Sequence, residues 1–266
     1  MLREFTVTDD NLFVLSSTSK GNQEKWVYDN YYIKADKFGY ESISEVLVSE
    51  FLSYCVNIDF VNYNLCRINC NNTSYYSCYS ENFLKDNEEY VSFFRILKLY
   101  YGSEDKLNKR LDGLSGKALY DEVVSVIEEV TLLKFDEYLN IMLGIDSIIL
   151  NEDRHFNNIG VIKSDGYWRY CPIFDNGLSL LSDLNDYPFY DNILFCMRNV
   201  KSMPFSTDFI KQFKYTSHRP IIIDFRSFKN DLVNKYVEFK SDEFERAKSV
   251  LLKRCNILEG KVWVQK

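Results

Sequence analysis

The spacing of apolar residues changes along the chain, and this change limits the possible folds more than any other feature. Up to about residue 80, short runs rich in Tyr, Val, Thr, Ser and Asn predict strands, and in residues 26–34 Asp29 and Asn30 provide a turn between two of them. One helix is predicted over about 42–56, because apolar residues recur there at helical intervals. After about residue 90 the helical period takes over, interrupted by one β-hairpin over 159–171. The pattern predicts a small antiparallel sheet with one helix, followed by a mainly helical region.

The two regions are expected to form two lobes of one α+β protein. Only 4 prolines and 10 glycines occur among 266 residues, and no linker rich in Pro, Gly or Ser separates independent domains. We predict a small β-rich N-lobe with one helix over 1–85, and a larger, mainly helical C-lobe over 86–266 that carries the hairpin. A layout of this kind places a cleft between the lobes.

Composition argues against several classes of function. The chain has 32 Lys and Arg and 39 Asp and Glu, which give a net charge of −7 and a pI near 5.1. This charge argues against nucleic-acid binding, because such binding depends on clustered basic residues. No apolar run approaches the ~18 residues of a membrane span, and the first residues lack the apolar segment of a secretory signal. We therefore expect a cytoplasmic protein, with delivery as a secreted effector left open. The seven cysteines are scattered and odd in number, which favours free thiols over disulfides or a zinc site.

The densest polar cluster is residues 151–158, directly after a predicted helix. Asp153 and Asn158 are five residues apart, and Asp175 follows beyond the hairpin. Phosphoryl transfer requires a carboxylate near the acceptor hydroxyl and oxygen ligands that hold Mg²⁺ at the nucleotide phosphates, and protein kinases supply these groups in this order. Asp153 beside Arg154 would alone indicate only a surface salt bridge. The combined spacing favours a kinase site.

These residues also carry a resemblance to a known family. The loop reads Asp-Arg-His where ordinary protein kinases have His-Arg-Asp, and Asp-Asn-Gly replaces Asp-Phe-Gly. In this inversion the chain resembles the HipA-like serine/threonine kinases, which share it with phosphoinositide kinases. The resemblance implies a two-lobed protein-kinase-like fold with ATP and Mg²⁺ between the lobes. It covers about residues 15–180 and is carried by the segments Tyr31–Lys34, Tyr40–Glu45, Cys78–Leu84, Asp153–Asn158 and Phe174–Asp175.

The resemblance implies a role for each of five polar residues. Lys34 would contact the nucleotide phosphates, with Glu45 as its partner on the helix. Asp153 would orient the acceptor hydroxyl and accept its proton, and Asn158 and Asp175 would bind Mg²⁺. The residue pattern agrees for the first pair, because Lys34 ends a β-rich run and Glu45 lies off the apolar stripe of the helix.

Further positions follow from the same resemblance. His155 is expected to be a structural residue of the loop at the nucleotide site. The segment containing Tyr79, Ser80, Glu81 and Phe83 would offer backbone groups to adenine. The phosphate-covering loop would lie between Ser16 and Lys25, and its candidates for autophosphorylation are Ser16, Ser17, Thr18 and Ser19.

The expected activity is transfer of a γ-phosphoryl group to Ser or Thr of a protein substrate, as in a bacterial toxin kinase. HipA toxins carry an additional N-terminal β domain that helps to hold an antitoxin, whereas this chain begins almost at the kinase core. An antitoxin, or a separate protein resembling that β domain, is therefore an open expectation as partner. A lipid or small-molecule kinase with the same loop, and a pseudokinase acting through partners, are the alternatives. By position alone, residues 183–190 and 201–205 are interpreted as the substrate wall.

Overall fold

The first part of the chain forms a five-stranded sheet with the strand order β1-β4-β5-β3-β2. The structure is a computed structural model that describes residues 2–8, 24–70, 73–235 and 241–266. The predicted hairpin is confirmed, because β2 and β3 pair antiparallel around a turn at Asp29 and Asn30. The strands of this sheet are β1 (Arg3–Thr6), β2 (Lys25–Tyr28), β3 (Tyr31–Ala35), β4 (Asn64–Cys70) and β5 (Thr73–Glu81).

The prediction of a purely antiparallel sheet is wrong at one pair of strands. β1 runs parallel to β4, with Arg3 opposite Cys66 and Thr6 opposite Asn69. Parallel neighbours need a long crossover connection. The described residues between β1 and β4 form two strands and a helix, and this stretch brings the chain back in the same direction.

The helix predicted in this part of the chain is α1 (Glu41–Leu52), which ends at Leu52 rather than near residue 56. Beyond it, the Val56 N–H donates a hydrogen bond to the Ile222 carbonyl at 3.0 Å, and Cys55 forms a β-bridge with Ile223. The backbone that would continue the helix is thus used to pair with a strand from a distant part of the sequence.

The rest of the chain is mainly helical, as predicted. None of the helices formed by the described residues is long and apolar enough to cross a membrane. These helices are α2 (Phe93–Tyr101), α3 (Glu104–Leu111), α4 (Gly116–Thr131), α5 (Phe135–Ile149), α6 (Ile193–Asn199), α7 (Phe209–Phe213), α8 (Phe225–Lys235) and α9 (Asp242–Leu258).

Strands within this helical part differ from the prediction. The predicted hairpin is formed by β7 (Gly160–Ser164) and β8 (Tyr167–Tyr170), but β6 (Glu88–Ser92) pairs with the other edge of β7, which makes three strands rather than two. A parallel pair, β9 (Ile221–Ile223) and β10 (Trp263–Gln265), was not predicted. Runs of three residues are too short to give a periodic signal.

The largest apolar core lies among the helices and includes α1. The Phe51 ring of α1 packs against Phe228 of α8 with ring centroids 5.2 Å apart. α1 therefore lies within the residues predicted to form the N-lobe, but its side chains pack into the core of the helical part.

All seven cysteines are free thiols, as expected. The boundary at residue 85 stays a prediction.

Candidate active site

Lys34 lies at the centre of a buried cluster of charges. Its Nζ donates hydrogen bonds to Glu45 Oε1 at 2.5 Å, to Asp175 Oδ1 at 2.7 Å and to the Tyr63 hydroxyl at 3.2 Å. Lys34 is 6% exposed and Glu45 is 1% exposed, so water screens their attraction little. The predicted pairing of Lys34 with Glu45 is formed, and one ammonium group joins β3, α1 and the segment after β8.

Two acidic side chains fix the N-terminal end of α1. Glu41 accepts hydrogen bonds from the backbone N–H groups of residues 37–39 at 2.7 to 3.1 Å, and Asp36 accepts one from the Ser42 N–H at 2.6 Å. Carboxylates near a helix N-terminus satisfy amides that have no intrahelical acceptor and interact favourably with the helix dipole. Glu45 lies one turn further along α1, so this anchoring fixes its position.

The charges of the cluster determine each other's protonation. Burial alone would lower the pKa of Lys34, but the carboxylates of Asp175 and Glu45 outweigh it and raise that pKa well above its ordinary value. Burial would raise the pKa of Asp175, but Lys25 and Lys34 hold it well below its usual range. Burial raises the pKa of Glu45, and Lys34 opposes this effect. Lys34 and Asp175 are therefore charged at neutral pH.

Hydrogen bonds within the loop after α5 bring Asp153 and Asn158 together. The Asp153 N–H donates to Asn151 Oδ1 at 3.0 Å, and Asn158 Nδ2 donates to the Asp153 carbonyl at 3.0 Å. His155 belongs to the same loop: its Nδ1 accepts the Asn157 N–H at 3.2 Å, and its Nε2 lies 3.8 Å from Asp153 Oδ2. The local bonding of His155 agrees with its expected structural role, which stays a prediction.

The fully buried guanidinium of Arg154 ties this loop to the segment after β8. Arg154 pairs with Asp146 of α5, whose carboxylate lies 3.0 Å from its terminal nitrogen. It also donates to the carbonyls of Asn158 at 3.2 Å and Phe174 at 2.9 Å, and to Asn176 Oδ1 at 2.7 Å. One side chain thus fixes the backbone beside both predicted Mg²⁺ ligands, and the surface salt bridge considered for it is replaced by a buried one.

The side-chain oxygens of Asn158 and Asp175 fit a divalent cation by their chemistry. Because the Asn158 amide nitrogen donates to the Asp153 carbonyl, its oxygen faces away from that bond, and no described residue donates to this oxygen. The Asp175 carboxylate is ionised between Lys34 at 2.7 Å and Lys25 at 3.8 Å. Carboxylate and amide oxygens are ligands that Mg²⁺ accepts.

Strand β5 carries the segment predicted to contact adenine. Its pairing with β4 ends at Tyr79, whereas its pairing with β3 continues to Glu81. Ser80 is buried, and the Tyr79 ring packs within the sheet, 5.3 Å from the Phe5 ring. Along Ser80 and Glu81, no strand among the described residues pairs with the β4 side of β5, so backbone groups on that edge are available to a ligand.

The structure brings together most of the residues that the sequence singled out. Ser16, Ser17, Thr18 and Ser19 lie outside the described residues. The others form three groups: Lys34 in direct contact with Glu45 and Asp175; Asp153, His155 and Asn158 in one loop held by Arg154; and Tyr79, Ser80 and Glu81 on β5 with Phe83 just after it. The Phe83 ring lies 5.6 Å from that of Phe174.

Sequence reasoning missed the residues that support this site. Arg154 stands inside the motif, and its partner Asp146 is an acidic residue in the otherwise apolar stretch at the end of α5. A charged residue in such a stretch is a signal, because buried charges in proteins are paired. Lys25 and Tyr63 contact the cluster through the fold alone, and no local pattern marks them.

An acidic group beside the loop after α5 was also not predicted. One carboxylate oxygen from each of Glu152, Asp183 and Asp186 lies within 4.8 Å of the others. The Tyr187 hydroxyl donates to Glu152 Oε2 at 2.8 Å. This group is separate from the two residues predicted to bind Mg²⁺.

Comparison with known proteins gives a structural match without a sequence match. No family model and no curated protein matches the sequence. Among solved structures, the crystal structure of a Helicobacter pylori proinflammatory kinase, CtkA, aligns with a TM-score of 0.63 at 16% sequence identity, over 98% of this chain and 95% of that chain. At this identity the likeness establishes the fold: the chain has an α+β, kinase-like fold, as the sequence predicted.

Proposed function

We propose that this protein is an ATP- and Mg²⁺-dependent kinase that transfers the γ-phosphoryl group to Ser or Thr hydroxyls of a protein. The observation that carries the proposal is the contact of Lys34 with both Glu45 and Asp175, next to the loop in which Asn158 bonds to Asp153. This arrangement supplies a cation for phosphates, oxygen ligands for a metal and a carboxylate for the acceptor, which are the parts that phosphoryl transfer requires.

In this proposal each residue acts through position and charge. Lys34 binds the anionic phosphates, and Glu45 holds its ammonium in place. Asn158 and Asp175 would hold Mg²⁺, which when bound offsets negative charge on the phosphates. Asp153 orients the acceptor hydroxyl and takes its proton as the new P–O bond forms, while the bond from the γ-phosphorus to the bridging oxygen breaks and ADP leaves with that electron pair.

The test is phosphate transfer by purified protein with Mg-ATP, with dephosphorylated casein as an added acceptor. Intact mass and peptide mapping report phosphate on both proteins, and ADP formation reports turnover. We expect phosphate on Ser or Thr, with the rate reduced about 10²–10⁴-fold in Asp153→Asn. Asp175→Ala should also lose activity, whereas Asp165→Asn, in the exposed turn of the hairpin, is the matched control.

Peptide mapping also tests the loop that covers the phosphates. Phosphate on Ser16, Ser17, Thr18 or Ser19 would support autophosphorylation there. Phosphate on Tyr alone would contradict the proposed acceptor. ATP that stays intact beside a folded wild-type protein, with no phosphate on either protein, would contradict kinase activity.

A further inference from the structure

A cleft of about 900 Å³ lies beside the catalytic loop, among the helices. Glu152, directly before the proposed base Asp153, lines the cleft together with Asp186 and Tyr187. The loop 201–207 forms another part of its wall. Both segments interpreted from the sequence as a substrate wall thus contribute to one cleft.

We propose that this cleft binds an acidic segment of the acceptor protein and presents its hydroxyl group to Asp153. The inference rests on the proposed kinase function and specifies its substrate class. Three properties of the cleft support it: a wall fixed to the catalytic loop, two lysines that pair with no described residue, and a volume of about 900 Å³ with partly apolar lining.

The wall is held in a fixed position relative to the catalytic loop. The Ser202 N–H donates to the Thr207 carbonyl at 3.1 Å, which closes the loop 201–207 on itself. The Phe205 ring lies 5.7 Å from the ring of Phe156, which follows His155 in the catalytic loop. A peptide bound to this wall would therefore keep a fixed distance from Asp153, as phosphoryl transfer requires.

The charges lining the cleft favour an anionic occupant. Lys201 and Lys211 are exposed, and no described residue accepts a hydrogen bond from either ammonium group or forms an ion pair with it. The acidic residues of the cleft, by contrast, have partners within the chain; Glu152, for example, accepts the Tyr187 hydroxyl. Although the chain as a whole carries −7, these two lysines give the cleft two cations with which an acidic peptide can pair.

The position of the acidic residues limits where the acceptor's own carboxylates can lie. Glu152 directly precedes Asp153, and one carboxylate oxygen of Asp186 lies within 4.8 Å of one of Glu152, so both acids would repel a carboxylate next to the acceptor hydroxyl. The acidic residues of the acceptor should therefore be separated from its hydroxyl by several uncharged residues, so that they reach the lysines.

The residues that line the cleft favour a peptide over a phosphoinositide headgroup. About 900 Å³ is near the upper end of the ~300–1,000 Å³ typical of small-molecule sites, and Leu119, Met203 and Pro204 add apolar lining for side chains. Surfaces that recognise phosphoinositides gather about four to eight basic residues, whereas two line this cleft.

Binding can be tested without turnover. The probe is a fluorescent peptide whose central residue is Ala in place of the acceptor. Two Ala and then three Glu follow on each side of this central residue. A second, control peptide has Lys in place of every Glu. Fluorescence anisotropy should show the Glu peptide binding about tenfold more tightly than the Lys peptide. The double variant Lys201→Glu, Lys211→Glu should remove this preference. Lys214→Glu, an exposed lysine close by that does not line the cleft, should keep it.

Kinetics with the corresponding Ser peptide and Mg-ATP separate this inference from the proposed function. We expect the double variant to raise KM for the Glu peptide about tenfold and to leave kcat unchanged. Charge-dependent binding without phosphorylation would support the cleft and contradict the kinase function. Phosphorylation that ignores peptide charge would support the kinase and overturn the inference. Equal binding of both peptides, or binding of phosphoinositide vesicles in place of the Glu peptide, would also overturn it.

Discussion

Lys34 binds two carboxylates at once, and this arrangement places three mutually stabilising charges at the centre of the candidate site. A buried charge without a partner is costly, so Lys34, Glu45 and Asp175 are each stabilised by the others. Asp175 would have to exchange part of its contact with Lys34 for a metal when nucleotide binds. Phosphate oxygens, which carry negative charge, can replace that contact at the ammonium group.

Asp36 should make the stability of the protein depend on pH. Burial raises the pKa of Asp36 to about 7. An acid with a higher pKa in the folded than in the unfolded state binds its proton more tightly when folded, so the protein loses stability as the pH rises from about 4 to about 7. Asp36→Asn keeps an oxygen that can accept the Ser42 N–H but carries no charge. We expect the free energy of unfolding of the variant minus that of the wild type, measured with urea, to increase between about pH 5 and about pH 8. If this difference between the two free energies of unfolding did not change with pH, the proposed effect of the Asp36 charge on stability would be wrong.

Arg154 should contribute more to the stability of the protein than an exposed arginine does. Its guanidinium reaches Asp146, two backbone carbonyls and Asn176 from a fully buried position, and a lysine has neither the fork geometry nor the number of donors to replace it. Arg154→Lys should lower the free energy of unfolding by about 3 kcal/mol. Arg95→Lys, in an exposed pair with Glu89, is the matched control and should change stability little. Similar losses in the two variants would show that Arg154 does not organise the loop.

The segment after Asp175 holds the first turns of α1 in place through hydrogen bonds. The Asn176 N–H donates to Glu45 Oε2 at 2.9 Å, and the Ser44 hydroxyl of α1 donates to the Ser179 carbonyl at 3.0 Å. The Tyr40 N–H, just before α1, donates to the Ser182 carbonyl at 3.3 Å. Changes in this segment should therefore alter the position of Glu45.

Gly39 provides a test of this packing. A Cβ at Gly39 would lie 2.1 Å from the Ser182 carbonyl oxygen, so a backbone atom would have to move. A Cβ at Gly144, inside α5, would lie 2.6 Å from the end of the Ile221 side chain and 3.1 Å from the Phe213 ring, which are side-chain rather than backbone atoms, and alanine favours the helix. We expect Gly39→Ala to lower the free energy of unfolding by about 1–3 kcal/mol and Gly144→Ala to lower it by less. Urea unfolding measures both, and an equal or reversed order would contradict the close packing at Gly39.

The parts of the fold predicted from the sequence are those with local signals. The hairpin around Asp29 and the helices after residue 90 follow from short-range patterns of apolar and turn residues. The parallel pairing of β1 with β4 and the pairing of β9 with β10 join segments that are distant in sequence, and no local pattern records such pairing. In the site, the motif identified Asp153 and Asn158, whereas Lys25 reaches Asp175 only because β2 lies beside β3.

At the scale of the whole molecule, α1 connects the sheet to the helical core. It contacts β3, β4 and β5 on one side and α9 on the other. Glu45 projects from this same helix toward Lys34, and Asp175 belongs to the other half of the chain. A ligand that contacts both Lys34 and Asp175 would therefore stabilise the two halves together.

The last prediction follows from this coupling. A ligand that binds only the folded state stabilises it by about 2.7 kcal/mol at 100 times its Kd, so saturating Mg-ATP should raise Tm by about 5 °C. Because Asp175 is a proposed metal ligand, Asp175→Asn should lose the difference in Tm between Mg-ATP and ATP with EDTA. The exposed Asp165→Asn should keep that difference. Differential scanning fluorimetry measures all three proteins. If Asp175→Asn kept the full magnesium-dependent shift, the metal would have to bind elsewhere, and the acidic group formed by Glu152, Asp183 and Asp186 would be the next site to test.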